Sequence, residues 1–163
     1  MRRREEVPLL RRLKEHDAQL ALLALLTVEG IKPASRWEKA LPPALLETLR
    51  DLGLAVGTVR RLTRRGPVVE ETVFARDSER MQGYLHQFDG RPIAKNRETR
   101  RLEGIFFGYP PCCVEAFAEH PYSPNGLPPE DQALLFHWAC PGCLVTPCLL
   151  AAYRIQLAIL RDV

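Results

Sequence analysis

The sequence predicts an α+β fold that is mostly α, with N-terminal helices and a β-hairpin followed by a helical, cysteine-rich half. Three observations lead there. Leucines recur at helical spacing over the first fifty residues, β-branched stretches flank Arg64-Arg65-Gly66-Pro67, and prolines open helical segments around Cys112, Cys113, Cys140, Cys143 and Cys148. With 163 residues, 46% of them hydrophobic, the chain has the size of one domain and can bury an ordinary core without disulfides.

Pro8 suits a first helical turn, and Leu9, Leu13, Leu20 and Leu23 continue one face, so a single helix is predicted from Pro8 to Val28 with Gly30 as its stop. After a loop at Lys32-Pro33, Leu45, Leu46 and Leu49 mark a second helix from Pro43 to Asp51, ended by Gly53. Leu54 to Thr63 and Val68 to Ala75 read as the two strands of the hairpin. Asp77 or Ser78 then caps a helix through Met81, Tyr84, Leu85 and Phe88, and Asp89-Gly90-Arg91-Pro92 breaks it. The break divides a helix/β-hairpin/helix half, residues 1–90, from a helical cysteine-cluster half, residues 91–163. No Ser- or Gly-rich linker lies between them, so one compact unit is expected.

Three short helices are predicted to carry the cysteines. Pro111 fits the first position of one, placing Cys112 and Cys113 in its first turn. Thr146 as cap and Pro147 as first residue place Cys148 in the same way, and Pro129 opens a helix through Gln132, Leu135, Phe136 and Trp138 that ends near Cys140. A helix N-terminus offers unpaired N–H groups and partial positive charge, which favour thiolate over thiol.

In His137-x2-Cys140-x2-Cys143-x4-Cys148 the two-residue gap lets consecutive cysteines reach one metal, with a fourth ligand from Cys112 or Cys113. The best ligand set on spacing is Cys113, Cys140, Cys143 and Cys148, with Cys112 and His137 in reserve, because adjacent cysteines seldom share one small ion. Zinc and an iron–sulfur cluster fit equally: both take sulfur-rich tetrahedral sites, and the proline and aromatic neighbours suit a cluster as well. Two other readings stand beside this one. Cysteine is often a small core residue, and Cys140/Cys143 or Cys112/Cys113 form thiol pairs of the kind used in disulfide exchange, although the strand-then-helix context of such a motif is missing.

At Phe107-Gly108-Tyr109-Pro110-Pro111-Cys112-Cys113-Val114-Glu115-Ala116-Phe117 the chain resembles a prokaryotic family, domain of unknown function 483, marked by Gly-Tyr-Pro-x-Cys-Cys and a later His-x-x-Cys. His137-Trp138-Ala139-Cys140 is similar to that second element. The resemblance covers roughly Ala75 to Leu157 and implies that Cys112, Cys113, His137 and Cys140 belong to one site, with Cys143 or Cys148 adding a ligand. It implies no activity.

Arg60, Arg61, Arg64 and Arg65 crowd the hairpin and make nucleic acid a conceivable partner, but Glu70 and Glu71 on the facing strand are placed to pair with them, and a net charge of +3 is modest. His16 and His86 fall on presumed helix faces, and His120 lies at the far end of its helix from Cys112. No Ser-His-Asp order, paired-carboxylate signature or phosphate loop names a reaction. The longest apolar run, Leu20 to Val28, is too short to span a membrane, and Glu5 and Glu6 interrupt the basic start that a signal peptide needs. A reducing cytoplasm is the expected setting for the five thiols.

Overall fold

The computed structural model describes residues 2–163. Among these residues eight helices and a four-stranded sheet follow in the order α1 Arg2–His16, α2 Ala18–Val28, β1 Ala34–Trp37, α3 Pro43–Asp51, β2 Ala55–Leu62, β3 Val68–Ala75, α4 Ser78–Phe88, β4 Arg91–Pro92, α5 Arg97–Phe106, α6 Pro111–Glu119, α7 Pro129–Leu134 and α8 Thr146–Arg161. The mostly helical α+β class is as the sequence predicts. None of these helices is long and apolar enough to cross a membrane.

The single N-terminal helix of the sequence reading is two. Asp17 turns to extended backbone, and its carboxylate accepts the N–H groups of Gln19 (2.7 Å) and Leu20 (3.2 Å), capping α2 as α1 ends. Pro8 lies inside α1, not in its first turn. Every residue of α2 from Leu20 to Thr27 is buried, as suits a helix that is apolar all round. It belongs to the larger core cluster, which also takes in Leu10, Leu13, Leu45 and Leu49 from the first half of the chain and Cys113, Leu135, Leu150, Tyr153 and Leu160 from the second. Residues on both sides of position 90 therefore share one core. The Lys14 ammonium donates to the Leu160 carbonyl at 2.6 Å and the Arg11 guanidinium to that of Val163 at 3.0 Å, which fastens α1 to the end of α8.

The hairpin forms over β2 and β3, with Thr58 opposite Thr72 and Arg60 opposite Glu70. Two strands absent from the sequence reading extend it to the order β1-β3-β2-β4. β1 is antiparallel to β3, and the Arg91-Pro92 segment, expected only to break the chain, runs parallel to β2 as β4. α4 covers this sheet with Met81, Tyr84 and Phe88, which with Val59, Val73 and Phe107 form the second buried cluster.

α5 is also new. Its Glu103 carboxylate accepts from Arg36 of β1 at 2.9 Å and from the buried Arg61 of β2 at 3.0 Å, with Glu71 of β3 at 3.8–3.9 Å from both guanidiniums. One helix is thereby bonded to two strands. Gly104 lies where α5 meets α6: a Cβ there would stand 2.5 Å from a Val114 methyl, so only glycine permits this approach. α7 stops at Leu134, short of the predicted end near Cys140, because Leu135 turns to extended backbone (φ −80°, ψ 146°). The Gln132 side chain replaces the lost helical bonds by donating to the His137 carbonyl at 2.8 Å and accepting from the Ala139 N–H at 3.2 Å.

Candidate metal centre

Two structures deliver four sulfurs to one point. The first is the start of α6. Gly108, at φ +68°, reverses the chain with its α-carbon against the Pro33 ring, and Pro110 and Pro111 then set the first turn, so that Cys112 and Cys113 are its second and third residues. The second is the segment that Gln132 holds extended. It presents Cys140, and a turn through Pro141-Gly142, with the Cys143 N–H 3.4 Å from the Cys140 carbonyl, presents Cys143.

The sulfurs of Cys112, Cys113, Cys140 and Cys143 all lie within 4.8 Å of one another. Cys112 Sγ is 3.5 Å from Cys143 Sγ, and Cys113 Sγ is 3.7 Å from Cys140 Sγ. A tetrahedral ion with metal–sulfur bonds of about 2.3 Å separates its ligand sulfurs by about 3.8 Å. The four cysteines are free thiols and can hold a metal ion.

The electrostatics lean the same way. Cys113 is 1% exposed, and burial drives its thiol pKa far up although the Cys140 N–H donates to its sulfur at 3.3 Å. Burial also raises Cys112, helped by the neighbouring thiols of Cys143 and Cys140. At Cys143 burial acts upward too, but donors at the start of α8 outweigh it and bring the thiol down to about 6: the Thr146 hydroxyl and the N–H groups of Thr146 and Val145. The Thr146 hydroxyl is buried with no close hydrogen bond in ordinary geometry, and the sulfur is the acceptor it can turn toward. Four thiols this close cannot all ionise unless a cation sits among them.

Cys148 is outside the group. It occupies the third position of α8 and is exposed. Thr146 is the first residue of that helix, not its cap, and Val145 takes the capping position. The end of α8 therefore aims its N–H groups at Cys143. Both vicinal cysteines enter the group, where spacing had left one spare. His137 is not among the sulfurs either: it is buried, stacked on the Tyr109 ring with centroids 5.2 Å apart, and neither ring nitrogen has a partner.

Arg61 is 2% exposed and committed to Glu103 and Glu71, whereas Arg60, Arg64 and Arg65 remain on the surface. Sequence reasoning missed the roles of Gln132 and Thr146 here, and the burial of Lys32. A Gln three residues after a helix-opening Pro-Pro pair was a weak signal for the first. Lys32, 2% exposed beneath the Tyr109 ring, gave none in a loop between Ile31 and Pro33. Comparison of the chain with family models, with curated proteins and with solved structures returned no match.

Proposed function

We propose that this chain is a metalloprotein that holds a single ion, of the zinc type, on Cys112, Cys113, Cys140 and Cys143. The observation that carries this reading is the mutual closeness of all four sulfurs, none more than 4.8 Å from another. That spacing suits one tetrahedral ion better than a cluster, whose ligand sulfurs are bonded to different irons and stand further apart. The ion joins the start of α6 to the Cys140–Cys143 turn. With all four positions taken by protein, it is a structural centre with no open coordination site. The resemblance to domain of unknown function 483 supports Cys112, Cys113 and Cys140 as members of one site, and the reducing cytoplasm expected from the sequence suits free thiolate ligands.

Anaerobic purification followed by elemental analysis tests this. The expected result is one zinc or one iron per chain, and cobalt substituted into the site should show the intense visible bands of a tetrahedral thiolate complex. Protein without metal, or with two or four irons and inorganic sulfide, overturns it. A second reading has one specific observation in its favour, the 3.5 Å approach of Cys112 to Cys143. If these two act as a redox pair, metal-free protein should yield a Cys112–Cys143 disulfide on mild oxidation, detectable by peptide mapping.

A further inference from the structure

Beside Cys113 the molecule opens a cleft of about 910 Å³ whose mixed walls include the aromatic side chains of Phe107, Tyr109, Phe117 and Trp138. A cleft of about 410 Å³ adjoins it, and Gln19, Arg36, Phe107, Tyr109 and Phe136 line both. These volumes suit a small organic molecule. Three buried side chains on the walls carry hydrogen-bonding capacity that nothing in the protein uses.

Lys32 is 2% exposed, and its amine makes one hydrogen bond, to the Phe107 carbonyl at 3.3 Å, out of the three an ammonium can donate. No carboxylate pairs with it among the described residues. Instead it faces the Tyr109 ring at 4.7 Å and the Phe136 ring at 5.7 Å. Trp37, 9% exposed on the smaller cleft, leaves its indole N–H unpartnered, and His137, 8% exposed on the larger one, leaves both ring nitrogens so. The acids on these walls are already engaged: Asp17 caps α2, Glu38 pairs with Arg36, and Glu103 pairs with Arg36 and Arg61. Apart from one acceptor nitrogen of His137, what remains unmatched is cationic or donating. Buried donors without acceptors are costly, and a charged one most of all.

We propose that the paired cleft binds a small organic anion, a carboxylate carried on a flat apolar body. The Lys32 amine and the Trp37 indole N–H meet the carboxylate oxygens, the Tyr109 and Phe136 rings face the body, and His137 meets a polar substituent at the far end. Burial leaves the Lys32 amine readily deprotonated, with a pKa of about 7, and an arriving anion favours its protonated form, so that one ammonium and one neutral N–H match a singly charged group better than a phosphate. His137 supports the same division of roles, since burial and then the Lys32 charge lower its pKa to about 4, so that its imidazole is neutral and offers one donor and one acceptor. The site uses none of the cysteine sulfurs, and its readout is separate from metal content.

Isothermal titration calorimetry on the intact protein as purified tests the proposal, with 2-naphthoate, 2-naphthamide and 2-naphthyl phosphate as probes. Saturable binding of 2-naphthoate is expected, at least tenfold tighter than that of the amide. Lys32→Met should weaken it at least tenfold while melting no lower than the parent, since an unpaired buried ammonium is removed. His137→Phe should weaken 6-hydroxy-2-naphthoate more than 2-naphthoate. Absence of saturable binding, equal affinity for acid and amide, or unchanged affinity in Lys32→Met overturns the site, and tighter binding of the phosphate overturns the carboxylate assignment. Should Lys32→Met not fold, Trp37→Phe decides: a smaller preference for acid over amide supports the site, and an unchanged preference overturns it.

Discussion

Gly108 meets two demands at once, a left-handed backbone (φ +68°) and an α-carbon pressed against Pro33, where a Cβ would stand 2.4 Å from a ring carbon. Gly108→Ala is expected to cost about 2 to 4 kcal/mol, read as a lower denaturation midpoint, because the conformational and steric penalties add. Among the thiols, the sharpest contrast is between Cys143 and Cys148. Cys143→Ser should abolish stoichiometric metal, whereas Cys148→Ser should leave it intact by elemental analysis, since Cys148 lies outside the group. At this scale the sequence was informative about residue type but not about direction. Cysteine spacing and helix-opening prolines pointed to the right third of the chain. Which sulfur turns inward depends on where a helix starts to within one residue, and α8 starts at Thr146, not after it, which leaves Cys148 exposed. Cys112 and Cys113 join the same group because the Cys140–Cys143 turn lies across the end of α6, a tertiary placement that no local spacing encodes.

Elements with a strong apolar period were legible. The β2–β3 hairpin, α3 and α4 follow their leucines, valines and turn residues closely. β1 and α5 were not. Ala34-Ser35-Arg36-Trp37 is only four residues long and is a strand because β3 pairs with it. In α5 the charges of Arg97, Glu98, Arg100, Arg101 and Glu103 outnumber its apolar residues, and its one buried residue is a glycine. Its local signal was Asn96, whose side chain accepts the Thr99 N–H at 2.8 Å as an N-cap. What anchors α5 is the ion pairing of Glu103 with Arg36 and the buried Arg61. Glu103→Gln leaves two guanidiniums short of their counter-ion, and a loss of about 3 kcal/mol in chemical denaturation is expected. Because α5 packs on α6, the same variant should also bind metal less tightly in a chelator competition.

For the molecule as a whole, Lys32 makes stability depend on pH in a defined direction. Burial lowers its pKa to about 7, well below its unfolded value. Between roughly pH 7 and pH 10 the unfolded chain therefore holds a proton that the folded chain has released, and stability rises with pH across that window. The groups facing it do not oppose this: Tyr109 is held neutral by burial, His137 has its pKa lowered to about 4 and is neutral across that window, and among the described residues no carboxylate is paired with the amine. Lys32→Met should consequently exceed the parent in stability most at pH 7 and least near pH 10, as measured by denaturation midpoints at both values. The shared core has an effect of another kind. α2 is packed by α8, and Lys14 is bonded to the carbonyl of Leu160, 146 residues further on. During synthesis the first helices emerge with their leucines uncovered, and the partner that closes over them is still unmade when Cys112 and Cys113 appear. Long-range closure of this sort is slow. The apolar face that α2 turns toward α8 is thus covered only once Thr146–Arg161 has been made.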